Sequence, residues 1–171
     1  MTLSKLERVL LINQLELRKA LTKSKDFDEA IEILEAGYEI FYEEALGRVH
    51  DPMAEEDCHF VLEVLDMYRA IEGFHEAHPG DEEIDKMYAP HFRGFDGNNE
   101  SAHMTFTRFL INDQRKFTEQ LKYEKDTDSF NSHWTMIPTY RAYLEKWKAM
   151  KDRWNLTREQ VVEILSSKDA T

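Results

Sequence analysis

Apolar residues recur at steps of three and four along most of the chain, which is the spacing of one face of an α-helix. No segment alternates polar and apolar residues with a period of two, and no hairpin dipeptide joins two β-branched runs. The pattern predicts helices at about 4–23, 27–45, 52–77, 81–88, 138–154 and 158–167, and one long helix that follows the Gly94 loop and reaches about residue 121. The sequence therefore predicts an all-α fold: a single compact domain, residues 1–171, of about six to eight helices in an orthogonal or bundle-like arrangement.

Each of the first two predicted helices carries one apolar stripe. The first stripe predicts a core-facing helix and comprises Leu6, Val9, Leu10, Asn13, Leu17, Ala20 and Leu21. The second follows a predicted N-cap at Asp26 and comprises Phe27, Ile31, Leu34, Tyr38, Phe41 and Ala45. The short link between these helices favours an antiparallel hairpin, and a coiled coil is the weaker alternative because the heptad pattern stops too soon.

Capping residues predict several of the other helix ends. Asp51 can accept the first amides of a helix, and Pro52 suits the first helical position, so the third helix is predicted to begin there. The sequence His78-Pro79-Gly80 predicts its end. Thr157 and Gln160 have the spacing of a capping box, which predicts the start of the last helix.

Two features of the stripes need partners in the fold. The heaviest aromatic stripe must be covered and comprises Tyr140, Tyr143, Leu144, Trp147, Met150 and Trp154. Asp113 and Asn13 lie on apolar stripes, so both are predicted to be partly buried polar groups that need hydrogen-bond partners.

The net charge of -12 is unevenly distributed along the sequence. Residues 26–85 contain 20 acidic residues against only Arg48 and Arg69, a net charge of -18, whereas the remainder carries +6. Nucleic-acid binding needs a clustered basic surface, so no nucleic-acid partner is expected. The split is typical of a solvated acidic face, and it also fits a contact between the acidic part of one copy and the basic part of another.

Membrane, metal and catalytic signatures are weak or absent. No apolar run approaches the roughly 20 residues that span a bilayer, and the lone Cys58 cannot form an internal disulfide, which predicts a cytoplasmic protein with a packed thiol. The seven histidines lack the spacing of a zinc or di-iron site, so no metal and no cofactor are expected. Arg69 and His75 have a spacing similar to that of helical ribonucleases, which place an Arg and a His beside a scissile phosphate. Residues six apart on a helix differ by about 240° in direction, so on a regular helix these two side chains would not face one substrate.

Two polar loops, residues 92–100 and residues 130–134, carry residue types that helix building does not explain. In the structural interpretation, the glycines of the first loop permit positive φ, Asp96 or Asn98 caps the following helix, and Glu100 favours its dipole. Flanking the same helix, the two loops are expected to touch, because each can satisfy hydrogen bonds that the other leaves unmet.

In the functional interpretation, both loops build one ligand site in which an acid, a base and amide donors surround a small molecule. The candidate ligand-binding residues are Phe95, Asp96, Glu100, Arg108, Asn131 and His133. Arg108 lies two turns after Glu100 and could form an ion pair with it instead. No catalytic residue is assigned, because the common nucleophile, nucleotide and redox motifs are absent.

A set of residues spread over nearly the whole chain carries a family resemblance. The set comprises Asn13-Gln14, Glu35-Ala36-Gly37-Tyr38, Cys58, Met67-Tyr68-Arg69-Ala70, Gly94-Phe95-Asp96, Glu100, Arg108-Phe109, Asn112, Phe130-Asn131, Tyr140, Leu144 and Trp147. Taken in this order, it resembles the YfbU family, a set of bacterial proteins named for an uncharacterised member. The resemblance implies an all-helical cytoplasmic domain, and it implies no reaction, cofactor or catalytic residue.

These observations predict a helical interaction or regulatory protein that self-associates, as a homodimer or a higher oligomer, and that could also bind another protein. The alternative is an enzyme or small-ligand-binding protein, hydrolase-like or ribonuclease-like, with its site in the two loops. An exposed apolar patch without a deep polar pocket would favour the first function. Convergence of Asp96, Arg108 and His133 on a cleft would favour the second.

Overall fold

A computed structural model describes residues 2–47 and 52–167 of the chain. Of these described residues, 63% are helical and none belongs to a β-strand, which confirms the all-α prediction. Eight α-helices lie in this part of the chain, and the Cα positions divide it into two compact units with a boundary between Pro52 and Met53. The single domain stays a prediction. None of the described helices has both the length and the apolarity needed to cross a bilayer.

The first unit contains α1 (Lys5–Thr22), α2 (Asp28–Ala36) and α3 (Tyr42–Leu46). The predicted first helix is confirmed, and it begins at a capping box in which Ser4 and Glu7 bond each other's backbone amides. The small core of this unit consists of Ile33, Leu34 and Tyr42, against which Leu3, Leu11, Ile12, Leu15 and Ala45 pack.

The predicted helix at 27–45 is broken in the structure. Gly37 ends α2 with a φ of +75°, and a 3₁₀ turn at Glu39–Phe41 leads into α3. The Arg8 guanidinium donates a hydrogen bond of 2.9 Å to the Leu34 carbonyl, which satisfies an acceptor at the open end of α2. The break leaves Tyr38 exposed, with Phe41 also outside the core.

Two predicted helix starts are wrong. The N-cap of α2 is Phe27 rather than Asp26, and no side chain bonds the first amides of this helix. The helix predicted at 52–77 begins at Glu55 rather than at Pro52. The Asp51 part of that prediction lies outside the described residues.

The second unit is built around α4 (Glu55–Ala77), which contacts α6 (Ser101–Arg108), α7 (Ile137–Ala149) and α8 (Arg158–Leu165). A short α5 (Glu82–Asp85) follows α4. The core of this unit is rich in aromatic side chains, and its largest fully buried residues include Tyr68, Phe92, Phe95, Phe130, Tyr140 and Tyr143.

Several local predictions in this unit are confirmed. Pro138, the first residue of the helix predicted at 138–154, lies in the first turn of α7, and Thr157 forms the predicted capping box with Gln160 at the start of α8. The aromatic stripe is covered within the unit only in part, because Tyr140, Tyr143, Leu144 and Trp147 are buried whereas Trp154 is 50% exposed. α7 ends before Trp154, whose ring lies 5.6 Å from the Trp147 ring between centroids.

The single long helix predicted from the Gly94 loop to about residue 121 is wrong. α6 changes at Phe109–Asp113 into a π-helical turn, and a 3₁₀ helix follows at Thr118–Tyr123. The wider turn buries both Leu110 and Ile111, and it leaves Asp113 exposed rather than partly buried.

Candidate functional site

The two polar loops lie against each other, which confirms the expected contact. The Phe95 amide donates to the Phe130 carbonyl at 3.0 Å, and the Ser132 amide donates to the Phe95 carbonyl at 3.2 Å. Gly94 makes this approach possible, because it has a φ of +83° and because a Cβ atom there would lie 2.6 Å from the Phe130 Cα. The first loop therefore joins the second through its backbone.

The Asp96 carboxylate organises its own loop and does not cap α6. It is 2% exposed and accepts hydrogen bonds from the Asn98 amide at 3.0 Å and from the Asn99 side chain. These bonds to Asn98 and Asn99 hold the pKa of Asp96 below its ordinary value. Asp96 is therefore charged and engaged within the loop.

The Glu100 carboxylate caps a different helix from the one that was predicted. It accepts hydrogen bonds from the amides of Met136 at 2.8 Å, Ile137 at 2.9 Å and Asp96 at 3.0 Å. Met136 and Ile137 are the N-cap and first residue of α7, so the negative charge lies at the positive end of that helix dipole. This one buried side chain thus fixes the first loop to the start of α7.

Arg108 holds a strained turn in the second loop and does not pair with Glu100. Its guanidinium donates to the Ser129 carbonyl at 2.6 Å and more weakly to the Asp128 carbonyl at 3.4 Å. Asp128, Ser129 and Phe130 have consecutive φ values of +45°, +57° and +64°, a conformation that non-glycine residues rarely adopt. Arg108 therefore donates hydrogen bonds to carbonyl groups that lie outside regular secondary structure in this turn.

Asn131 and His133 lie beside a small cavity of about 100 Å³, which Arg93 and Trp134 also line. The Asn131 side-chain oxygen accepts from the amides of Gly97 at 3.0 Å and His133 at 3.1 Å. Of the six candidate residues, the cavity is lined by these two alone. The remaining candidates, Phe95, Asp96, Glu100 and Arg108, make the internal contacts described above, and ligand binding by the set stays a prediction.

A second polar cluster escaped the sequence analysis and is centred on Glu72, which is 1% exposed. Its carboxylate is bonded by His91 Nδ1 at 3.0 Å, Lys122 Nζ at 2.7 Å and the Tyr123 hydroxyl at 3.0 Å. The His75 ring lies beside the His91 ring, with 4.6 Å between centroids. The residues of this cluster come from three separate segments of the chain. The one sequence signal for the cluster is the position of Glu72 directly after Ile71, a core residue of α4.

The environment shifts the pKa values in this cluster. Burial alone would raise the pKa of Glu72, but the hydrogen bonds from His91 and Lys122 outweigh that effect and lower it. Burial, together with the nearby His91, lowers the pKa of His75. Burial beside Glu72 raises the pKa of Tyr123, so the phenol remains a donor. Within residues 2–47 and 52–167, no group of three metal-ligating side chains is arranged to hold an ion.

We expect acid to destabilise the protein through this cluster. The pKa of His75 lies below its ordinary 6.5 in the folded state, so its contribution is present above pH 6.5 and lost as the pH falls through the folded pKa. The contribution of Glu72 is present above pH 4.5 and lost as the pH falls through its still lower folded pKa. Urea unfolding between neutral and acidic pH measures both losses.

A matched pair of variants separates the cluster from general acid effects. Glu72→Gln should lower the free energy of unfolding by about 2–3 kcal/mol at pH 7, because it removes hydrogen bonds to a buried charge. It should also reduce the further loss of stability at acidic pH. Glu63→Gln on the same helix breaks an exposed pair with Lys148 of 2.6 Å and should cost less than about 1 kcal/mol. Equal effects of the two variants would contradict a structural role for Glu72.

α1 exposes the stripe that was predicted to face the core. Its side chains Leu6, Val9, Leu10, Leu17 and Leu21 are between 44% and 76% exposed, and Asn13 is exposed among them. The prediction is wrong because a second apolar set, containing Leu11, Ile12 and Leu15, packs on the core of the unit instead. We refer to Leu6, Val9, Leu10, Asn13, Leu17, Ala20 and Leu21 as the α1 face.

The structure thus defines an all-α protein whose first helix presents an apolar face. The YfbU domain model matches residues 1–167, and the chain belongs to the YfbU family, as the resemblance predicted. The chain is 44% identical to a UPF0304 protein of Methanocaldococcus jannaschii over 167 residues. This alignment covers 96% of this chain and 99% of the relative. That organism is an archaeon, so similarity to this chain is not confined to bacteria. Neither the name of the family nor that of the relative states a reaction, a ligand or a partner.

Proposed function

We propose that this protein is a cytoplasmic interaction or regulatory protein that self-associates through its first unit. The observation that carries the proposal is the exposed apolar surface of the α1 face. Large exposed apolar patches on soluble proteins mark interaction sites. The same unit also exposes Tyr38, Ile40 and Phe41, so apolar exposure is concentrated in this part of the chain.

The α1 face has the size that association requires. Complete burial of a leucine or valine side chain contributes about 1.5–3 kcal/mol. The five aliphatic side chains are 44–76% exposed, so covering them completely on two copies contributes about 9–18 kcal/mol before the costs of association. Association costs on the order of 4–15 kcal/mol in lost freedom and ordering, so the gain is comparable with the cost.

The alternative function, ligand binding or catalysis in the two loops, has less support. Asp96 and Glu100 use their carboxylates to hold backbone amides, and Arg108 holds carbonyls. A catalytic acid or a ligand-binding base needs free polar atoms that face a cleft. The geometry of the loops accounts for these side chains as supports of the fold, whereas none of the described residues of the first unit covers the α1 face.

Sedimentation velocity over a range of protein and salt concentrations tests the proposal. We expect a dimer or higher oligomer at micromolar concentration. If apolar contact drives it, the oligomer should persist when sodium chloride is raised from 0.1 M, where the Debye length is about 10 Å, to 0.5 M. Dissociation over this range would instead indicate contact between the acidic and basic parts of two copies. A monomer under all conditions contradicts the proposal.

A further inference from the structure

We infer that α1 of one copy pairs lengthwise with α1 of a second copy, across a two-fold axis that passes beside Asn13. The inference rests on the proposed self-association and names its partner and its geometry. An isologous contact of this kind uses the same patch on both subunits, so the patch must be complementary to itself. The α1 face meets this requirement in its spacing, its charge and its length.

The spacing of the α1 face is that of a helix-pairing seam. Its central line has successive steps of four, three, four and three residues and runs Leu6, Leu10, Asn13, Leu17 and Ala20. This alternation keeps a row of side chains facing a second helix along its whole length. Leu6 and Leu10 lie seven and three positions before Asn13. Leu17 and Ala20 lie four and seven positions after it, so the row is nearly symmetric about Asn13.

The charges of α1 lie outside this row. The helix carries Lys5, Glu7, Arg8, Glu16, Arg18 and Lys19, whereas the α1 face, an arc of about 120°, carries none. Five of these charged side chains already have partners within the unit: Glu7 at Ser4, Arg8 at the Leu34 carbonyl, Lys19 at Asp28, Glu16 at Lys19 and Arg18 over the Phe27 ring. A strongly charged partner would find no counter-charge on this face, whereas a second copy meets a surface as uncharged as its own.

The length of the helix suits a contact between two copies. α1 has 18 residues and is about 27 Å long, and Asn13 lies at its middle. Two copies that meet at Asn13 therefore overlap over the whole apolar row. Exposed Tyr38, Ile40 and Phe41 do not belong to α1, so they lie outside the contact between the paired helices.

Asn13 supplies specificity to the pair. A carboxamide has both a donor and an acceptor, so two asparagines that face each other across a two-fold axis can bond to one another. A single polar asparagine within an apolar seam fixes register and oligomer state at a cost in stability, because any slipped arrangement would place it against leucine. The exposed amide in the centre of the row is explained by this role.

The double variant Leu10→Glu/Leu17→Glu tests the inference by sedimentation. Placing four carboxylates in the contact should weaken association about 100-fold or more and leave helical content unchanged, because both side chains are exposed. Ile40→Glu is the matched control, since Ile40 is 85% exposed in the same unit but lies outside α1, and it should associate like the wild type. If the wild type self-associates and the double variant does so equally, the inference is wrong while the proposed self-association stands. A monomeric wild type defeats both.

Substitution of Asn13 tests the position of the axis. Asn13→Leu should associate more tightly than the wild type or change its stoichiometry, because it removes the polar pair and extends the leucine row. Asn13→Asp should associate more weakly at neutral pH, because two like charges would face each other. Wild-type association in both variants would place Asn13 away from the contact and overturn the proposed axis.

Discussion

Gly94→Ala should be among the most destabilising single substitutions in this protein, with a loss of about 4 kcal/mol or more in the free energy of unfolding. The added methyl group would occupy the space of the Phe130 backbone, 2.6 Å from its Cα, where no side chain can move aside. The loops would have to separate, and the hydrogen bond of 3.0 Å between Phe95 and Phe130 would be lost. Urea unfolding monitored by circular dichroism measures the loss.

Gly80→Ala is the matched control for this substitution. Gly80 has the same φ of +83°, but a Cβ atom there meets nothing within 4 Å. Only the cost of a left-handed conformation applies at this position, about 1–2 kcal/mol. If the two variants lose the same stability, the close approach of the loops at Gly94 does not support the fold.

Glu100→Ala should cost about 3–5 kcal/mol, because the amides of Met136, Ile137 and Asp96 would lose their acceptor, and an unpaired buried donor costs about 1–3 kcal/mol. Glu100→Gln should lose less, since its amide oxygen can still accept while its NH₂ group faces other donors. Thermal or urea unfolding of the two variants gives both values.

The capping glutamate of α1 offers a comparison for Glu100. Glu7 also accepts a hydrogen bond from a helix-capping amide, that of Ser4 at 2.8 Å, but it lies on the surface. Glu7→Ala should therefore have a much smaller effect than Glu100→Ala, because water can solvate the amide that is released. Similar losses for the two variants would contradict the role of burial at Glu100.

Helices with strong local signals were predicted well from the sequence. The capping box at Thr157 and Gln160 specifies the start of α8 through contacts between residues three apart. The breaks at Gly37 and at Phe109 were missed, because apolar periodicity continues through them. The first is stabilised from α1, by Arg8, and the second depends on the burial of Leu110 and Ile111, so both follow from tertiary contacts.

The candidate site shows the same limit. The residue types of the two loops predicted their contact, since each offers polar groups that the other can satisfy. The role of Glu100 could not be predicted, because the two α7 amides that donate to its carboxylate lie 36 and 37 residues further along the chain. The Glu72 cluster was missed for a related reason, because it joins α4 to His91 and to Lys122 from separate segments.

The α1 face shows what an amphipathic pattern does and does not specify. Periodicity identified the helix and its apolar row correctly. The row was predicted to face the core, because the apolar stripe of a helix in a globular protein is usually buried. α1 carries a second apolar set that packs within its unit, so the row itself is left for a partner.

Disulfide cross-linking at position 13 tests the central claim most directly. In a Cys58→Ser background, which leaves no other cysteine, Asn13→Cys should give a disulfide-linked dimer under mild oxidation, since facing residues can approach within the roughly 4.4–6.8 Å between Cα atoms that a disulfide needs. Glu32→Cys, exposed on α2, should remain mostly unlinked in the same background. Cross-linking at position 13 that is no greater than at position 32 would contradict the α1 pair.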